Sequence, residues 1–530
     1  MRNRVQLLAL PLSATAILTA GCGSGSGDGG GEGKSVTMGI TDKVTAVDPA
    51  SGYDVGSWIV FNNVFQSLMS FPRGATKPEP EAAEQCAFTD TSSRTFDCTL
   101  RPGLTFSNGD ALTSQDVKYS FERTLKINDA NGPAVLLDSI KTIDAPTADR
   151  VVFHLKYSDA TFPMKIASGA GSIVDRREYP ADKLRDDNKA MGSGPYRLDS
   201  YTAGDEADFS VNDRYQGTAE VHNSGMTMKF FKEESGLAKA LEDGDVDLAY
   251  RGLAAKDIAA LQQKSAAGDS GMKVVEGTGA EVQHLVFNVD DPAVADKAVR
   301  RAVAYLIDRK AIMRDVYDRT ATPLYSIVPQ GITGHNTAFF DRYGEGGDTA
   351  HAKAALTGAG ITEPVRFTLW ATPVRYGPGT VAELQEIAKQ LNASGLFDVD
   401  VKSTDADQYA KDIAAGKYAV YVRGWVPDYP DPDNFTAPFF GDGNVLSNHY
   451  VNQRITDELI PRTAAEDNRA STTADFEELQ DAVADDVPII PLWQGKQYVA
   501  AKDTVNGLEW TLDQSTVFRF WEIQKVDQAG

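Results

Sequence analysis

The stretch YAVYVRGWVPDYPDPDNF, residues 418–435, decides how this chain is put together. Tyr418 to Val422 are aromatic or β-branched in the main, the composition of a short buried strand. From Arg423 onward, three prolines, three aspartates and the rings of Trp425 and Tyr429 crowd together, which neither a helix nor a central strand tolerates. A strand therefore runs into a stiff loop at this point.

Working back from it, Phe367 to Trp370 form a strand pattern. Val381, Leu384, Ile387, Ala388 and Leu391 make one helical stripe that ends near Gly395. Val399 and Val401 alternate as a short strand, and Asp405 to Ala415 have the look of a capped helix. The order is β-α-β-α-β, which calls for parallel strands joined by right-handed crossovers. In such sheets ligands sit beyond the carboxyl ends of the strands. The loop at 423–435 is then a candidate binding wall, its prolines limiting the entropy lost on gripping a ligand. A rigid surface turn with solvated aspartates is the alternative.

Elsewhere the local signals are structural. In residues 100–125, Asn108-Gly109 marks a turn, Thr113 with Asp116 starts a helix, and Val117, Phe121 and Leu125 give it an apolar stripe. Leu237 and Leu241 mark a helix ended by Gly244, and Val246 to Tyr250 alternate as a strand. Another strand falls near Leu285–Asn288. The longest helical pattern runs through Val299, Val303, Leu306 and Ile307 to Ile312 and Val316.

At 530 residues the chain is too long for one core, so two or more lobes are expected. Its formal net charge of -23 and pI near 4.7 argue against a nucleic-acid or anionic-membrane surface and favour cationic or zwitterionic ligands. The amino terminus resembles a secretory signal: Arg2 and Arg4, a mostly apolar run, then small residues before Cys22. LTAGC resembles a bacterial lipobox, with Thr19 where leucine is commoner, and marks Cys22 as a lipid anchor. The following GSGSGDGGGEGKS contains a formal G-x-G-x-x-G without strand or helix around it; a flexible tether explains it better. Cys86 and Cys98 fit a hairpin closed by a disulfide, a loop whose closure contributes about 3 kcal/mol by chain entropy.

Seven segments then carry a resemblance: VDPA at 47–50, LRPGLTFSNGDALTSQDVKYSFER at 100–123, GSGPYRL at 192–198, ALEDGDVDLAY at 240–250, LVFNVDDP with VRRAVAYLIDRKAI at 285–312, GWVPDYPDPDNF at 424–435, and VPIIPLW at 487–493. In this order, the chain resembles the extracytoplasmic solute-binding proteins of the oligopeptide/dipeptide type, family 5, which serve ABC importers. The resemblance implies an α/β, two-lobed periplasmic-binding-protein-like fold of type II with an extra subdomain and a hinged cleft. The expected parts are a signal peptide at 1–21, the lipidated Cys22 and tether to 35, a first lobe at 36–282 with an insertion near 62–187, a second lobe at 283–490, and a return to the first lobe at 491–530. It implies that Asp428 pairs with a peptide's α-amino group and that Gly424 bonds the peptide main chain. Trp425 is a flat apolar face, Arg423 orients Asp428 or holds a ligand carboxylate, and Tyr53 and Trp493 are further contacts.

The implied function is capture of di- or oligopeptides for an ABC permease and its ATPase, by a monomer held at the outer face of the cytoplasmic membrane through its lipid anchor only, with no nucleic acid and no cofactor. An oligosaccharide or other small solute is the alternative cargo, since Trp370, Trp425, Trp493, Trp510 and Trp521 offer stacking platforms. Nickel is disfavoured because the six histidines lack ligand spacing. A secreted hydrolase is the less favoured class: no G-x-S-x-G, H-E-x-x-H or framed P-loop is present.

Overall fold

The computed structural model describes residues 33–268, 271–372 and 379–527. The signal segment, Cys22 and most of the tether lie outside the described residues.

The backbone of the molecule is an eleven-stranded mixed sheet. In chain order its strands are β1 (Val36–Ile40), β2 (Tyr196–Thr202), β3 (Glu206–Val211), β4 (Gly225–Phe230), β5 (Leu248–Tyr250), β6 (Met272–Phe287), β7 (Ala321–Pro323), β8 (Val365–Ala371), β9 (Phe397–Ser403), β10 (Val420–Trp425) and β11 (Ile489–Lys502). Across the sheet they lie β9-β8-β10-β6-β11-β5-β1-β4-β3-β2, with β7 paired to β11. β8 runs parallel to both β9 and β10, as the β-α-β-α-β reading requires.

Two long strands tie the halves together. β6 and β11 pair from Met272–Lys502 to Thr278–Lys496, shift register, and resume from Val282–Gln494 to Val286–Ile489. At the shift the backbones nearly touch: a Cβ on Gly279 would lie 2.4 Å from the Gly495 carbonyl oxygen, so no side chain fits there. Hydrophobic packing separates on either side. One cluster joins residues 36–65, 174–250 and 499–523; another joins residues 280–493. A third, spanning 68–173, fills a four-stranded antiparallel sheet (Ala83–Phe88, Thr95–Leu100, Ile140–Thr147, Arg150–Leu155) and the helix Ser114–Ile127. That helix starts with the capping box of Thr113 and Asp116. A disulfide joins Cys86 and Cys98, which are partners across the first hairpin of this small sheet.

Three expectations need correction. The long helix through Val299 and Val316 is two helices, Lys297–Leu306 and Arg309–Asp315. Ile307 is extended, and the Asp308 carboxylate accepts from Ala311 N–H to start the second helix. The apolar spacing continues across the break because both helices pack on the same core. Second, Leu248–Tyr250 is buried throughout rather than alternating, as befits a strand between β1 and β11. Third, the strand expected to stop at Val422 continues to Trp425. The longest helix among the described residues is Arg469–Asp486, 18 residues, whose polar first turns hide its buried Phe476, Leu479 and Val483.

Candidate functional site

The loop after β10 is folded in on itself and buried. Asp431 caps the short 3-10 turn Pro432–Phe435 by accepting from Asp433 N–H, and its other oxygen meets Arg469 at 2.9 Å. The turn brings Asn434 back against the strand end. Its side-chain oxygen accepts from the Trp425 indole at 2.8 Å and from Asp428 N–H at 3.0 Å, while its amide donates to Asp428 Oδ2 at 3.0 Å. The solvated aspartates of the alternative reading are therefore not found: Asp428, Asp431 and Asp433 are all buried. Asn434 is the residue that locks the corner.

Asp428 is 7% exposed and meets a second segment of the chain: the Tyr53 hydroxyl donates to its Oδ1 at 2.8 Å. Burial pushes the Asp428 carboxyl up to about 6, against the pull of Asn434, Tyr53 and Lys165. Burial, together with the Asp428 charge, also drives the Tyr53 hydroxyl far above its ordinary range, so it stays a donor. The structure thus brings Asp428, Tyr53 and Trp425 to one corner. The Trp425 ring stands edge-on to Phe439 at 5.2 Å. Gly424 pairs in register with Gln283 of β6, and Arg423 with His284. The cation that acts on Asp428 is Lys165, which the sequence did not single out. Trp493 is 6% exposed, packed on Tyr317 at 5.1 Å with its indole donating to Glu383.

The corner sits at a seam. Tyr429, next to Asp428, packs into the 68–173 cluster. Lys165, from that same region, pairs with Asp159 at 2.8 Å. Burial opposes the Lys165 charge, but Asp159 and Asp433 across the seam raise its affinity for the proton above the usual. Backbone bonds continue the contact: Ala160 N–H donates to Ala464 O at 2.8 Å, and the Ser93 hydroxyl to Ala465 O at 3.1 Å.

On its outer side, β10 outruns its neighbour. β8 pairs with it only as far as Tyr421. At Val422 the Tyr409 hydroxyl takes over, accepting from Val422 N–H at 3.0 Å and donating to Val422 O at 2.9 Å. Gly424, two residues on, presents its N–H and C=O to the same side by strand alternation.

Residues 77–447 match the family described as bacterial extracellular solute-binding proteins, family 5. The chain is 25% identical over 492 residues to the probable D,D-dipeptide-binding periplasmic protein DdpA of Escherichia coli, covering 90% of this chain and 92% of that one. It is 24% identical over 497 residues to a dipeptide-binding protein of Pseudomonas aeruginosa, covering 87% and 90%. Its fold superposes on the periplasmic binding protein DppA of Helicobacter pylori, solved with the peptide STSA, with a TM-score of 0.77 at 20% identity, covering 93% of this chain and 98% of that one.

Proposed function

Because the chain belongs to the bacterial extracellular solute-binding proteins of family 5, we propose that it captures peptides by their free amino terminus between two lobes and delivers them to the permease and ATPase of an ABC importer. The family is one of binding proteins rather than enzymes. The lobes are 36–282 with the return at 491–530, and 283–490. Lipidation of Cys22 holds a monomer at the outer face of the cytoplasmic membrane.

One observation carries the cargo: a buried carboxyl, Asp428, placed where the loop after β10 meets Tyr53 of the amino-terminal part. Its two oxygens accept from two neutral donors, the Tyr53 hydroxyl and the Asn434 amide, leaving acceptor capacity on both for an ammonium. Gly424 then offers main-chain groups along the β10 edge, the geometry by which an extended peptide adds to a sheet. Trp425 and Arg423, on the opposite face of that strand, wall the site, with Tyr53 closing it from across the seam. The dipeptide- and peptide-named relatives agree with this reading rather than with a sugar.

Calorimetry with a free-amine dipeptide and its N-acetylated form tests it. Asp428→Ala weakens the free amine by about 3–5 kcal/mol, the loss expected when one member of a buried charge pair is removed, and scarcely changes the weak acetylated form. Equal losses for both ligands defeat the assignment.

A further inference from the structure

Gly424, Gln283, Trp493 and Pro323 are register partners in one row across β10, β6, β11 and β7. A single side chain grips the middle of that row. Glu383, in the first turn of the helix Thr380–Ala393, has no exposed surface. Its Oε1 accepts from the Trp493 indole at 3.0 Å; its Oε2 accepts from the Tyr317 hydroxyl at 3.1 Å and from the Gln283 amide. Three elements and one loop thus converge on one carboxyl.

The chemistry of the cluster is that of a neutral acid. Burial pushes the Glu383 carboxyl up to about 8, and the bonds from Gln283, Tyr317 and Trp493 oppose this only in part. Among the described residues no cation pairs with it. The titratable groups that face the cluster are Tyr317, itself driven upward by burial and by Glu383, and Glu281 of β6. One further atom fits. Gln283 is fully buried, and its Oε1 has no hydrogen-bond partner among the described residues. An amide's oxygen and nitrogen exchange places by a half turn. With Gln283 so turned, its oxygen accepts the proton of the Glu383 acid, and the amide nitrogen takes the place the oxygen leaves.

We propose that Glu383 is a positioning residue for ligand binding: a buried clamp on Gln283 and Trp493 that holds the sheet row ending at Gly424 in shape for a peptide main chain. It touches no ligand. It acts through Gln283, whose backbone pairs with Gly424, and its charging in alkaline solution loosens the grip because an unpaired buried carboxylate is strongly disfavoured.

The inference rests on the peptide reading, so one arm of the test needs no peptide. In the full chain labelled with 15N-tryptophan, the Trp493 indole resonance, identified by its loss in Trp493→Phe, shifts with a midpoint near pH 8; in Glu383→Gln it does not titrate there. In the second arm, dipeptide affinity at pH 7 changes by less than about twofold in Glu383→Gln and falls roughly tenfold in Glu383→Ala, the scale of one lost buried hydrogen bond. Should Glu383→Ala not fold, the glutamine variant and the indole titration carry the test. An unchanged titration in Glu383→Gln, or a glutamine variant as weak as alanine, overturns the clamp. The expected titration without any peptide binding upholds the clamp and overturns the peptide reading instead.

Discussion

Asp428 concentrates the chemistry of the site in one carboxyl, and its environment sets a sign for pH dependence. With a folded value near 6, raised by burial, it holds a proton below that pH, whereas a peptide ammonium requires the carboxylate. Binding must then expel a proton. Affinity for a free-amine peptide falls as pH drops below 6, approaching tenfold per unit, and is level above 6 until the peptide's own amine titrates at about 8. For stability the direction is the opposite: the folded protein holds this proton more tightly than the unfolded chain, so the contribution of Asp428 declines as pH rises from its ordinary range to 6 and is constant beyond. The groups that face it are Tyr53, Asn434 and Lys165, with Tyr429 and Asp433 one step further. Titration calorimetry in two buffers of different ionisation heat measures the expelled proton: nearly one per peptide at pH 5 and none at pH 7.5. A proton count of zero at both sinks this account of Asp428.

At the scale of elements, the outcome depended on whether each segment carried its own period. The helix Thr380–Ala393 was legible because Leu384, Ile387, Ala388 and Leu391 recur on one face. The parallel order of β9, β8 and β10 followed from the alternation of strands and helices alone. β6 was legible only at its end. Gly277, Gly279, Gln283 and His284 break its apolar alternation because they answer to the strand crossing and to Glu383, not to solvent. Glu383 stands in a helix's first turn, a favoured position for any acid near the positive end of the helix dipole; nothing local marks it as buried. The break after Leu306 was illegible for the opposite reason, since the apolar stripe persists while Asp308 restarts the helix. Asp308→Ala removes that cap and is expected to destabilise the protein by about 1 kcal/mol in urea unfolding without changing peptide affinity. A change below a few tenths means the Arg309–Asp315 helix is held by packing alone.

The whole molecule is a pair of packed halves whose contact passes through the same loop that carries the ligand chemistry. Family resemblance implied the hinge, and the long β6–β11 pair contributes residues to the cores on both sides. What no local pattern announced is how the halves meet. Tyr429 crosses the seam to pack with the 68–173 cluster, Lys165 stands between Asp159 and Asp433, and Ala160 and Ser93 bond to Ala464 and Ala465. Of these, the tyrosine ring carries the most apolar burial, worth about 1.5–3 kcal/mol when such a side chain leaves water. If separation of the lobes returns that ring to solvent, the contribution belongs to closure rather than to folding. Tyr429→Ala then shifts the balance toward separated lobes by roughly ten- to a hundredfold, while each half keeps its own core. Small-angle scattering in the absence of added peptide reads the effect directly: the variant has a larger radius of gyration than the parent protein, and saturating peptide contracts it again. Tyr429→Phe, which keeps the ring and loses the hydroxyl's contacts with Asp433 and Thr161, stays close to the parent. An alanine variant with the parent's radius and the parent's rate of peptide release places the closing force elsewhere, in the buried charges around Lys165.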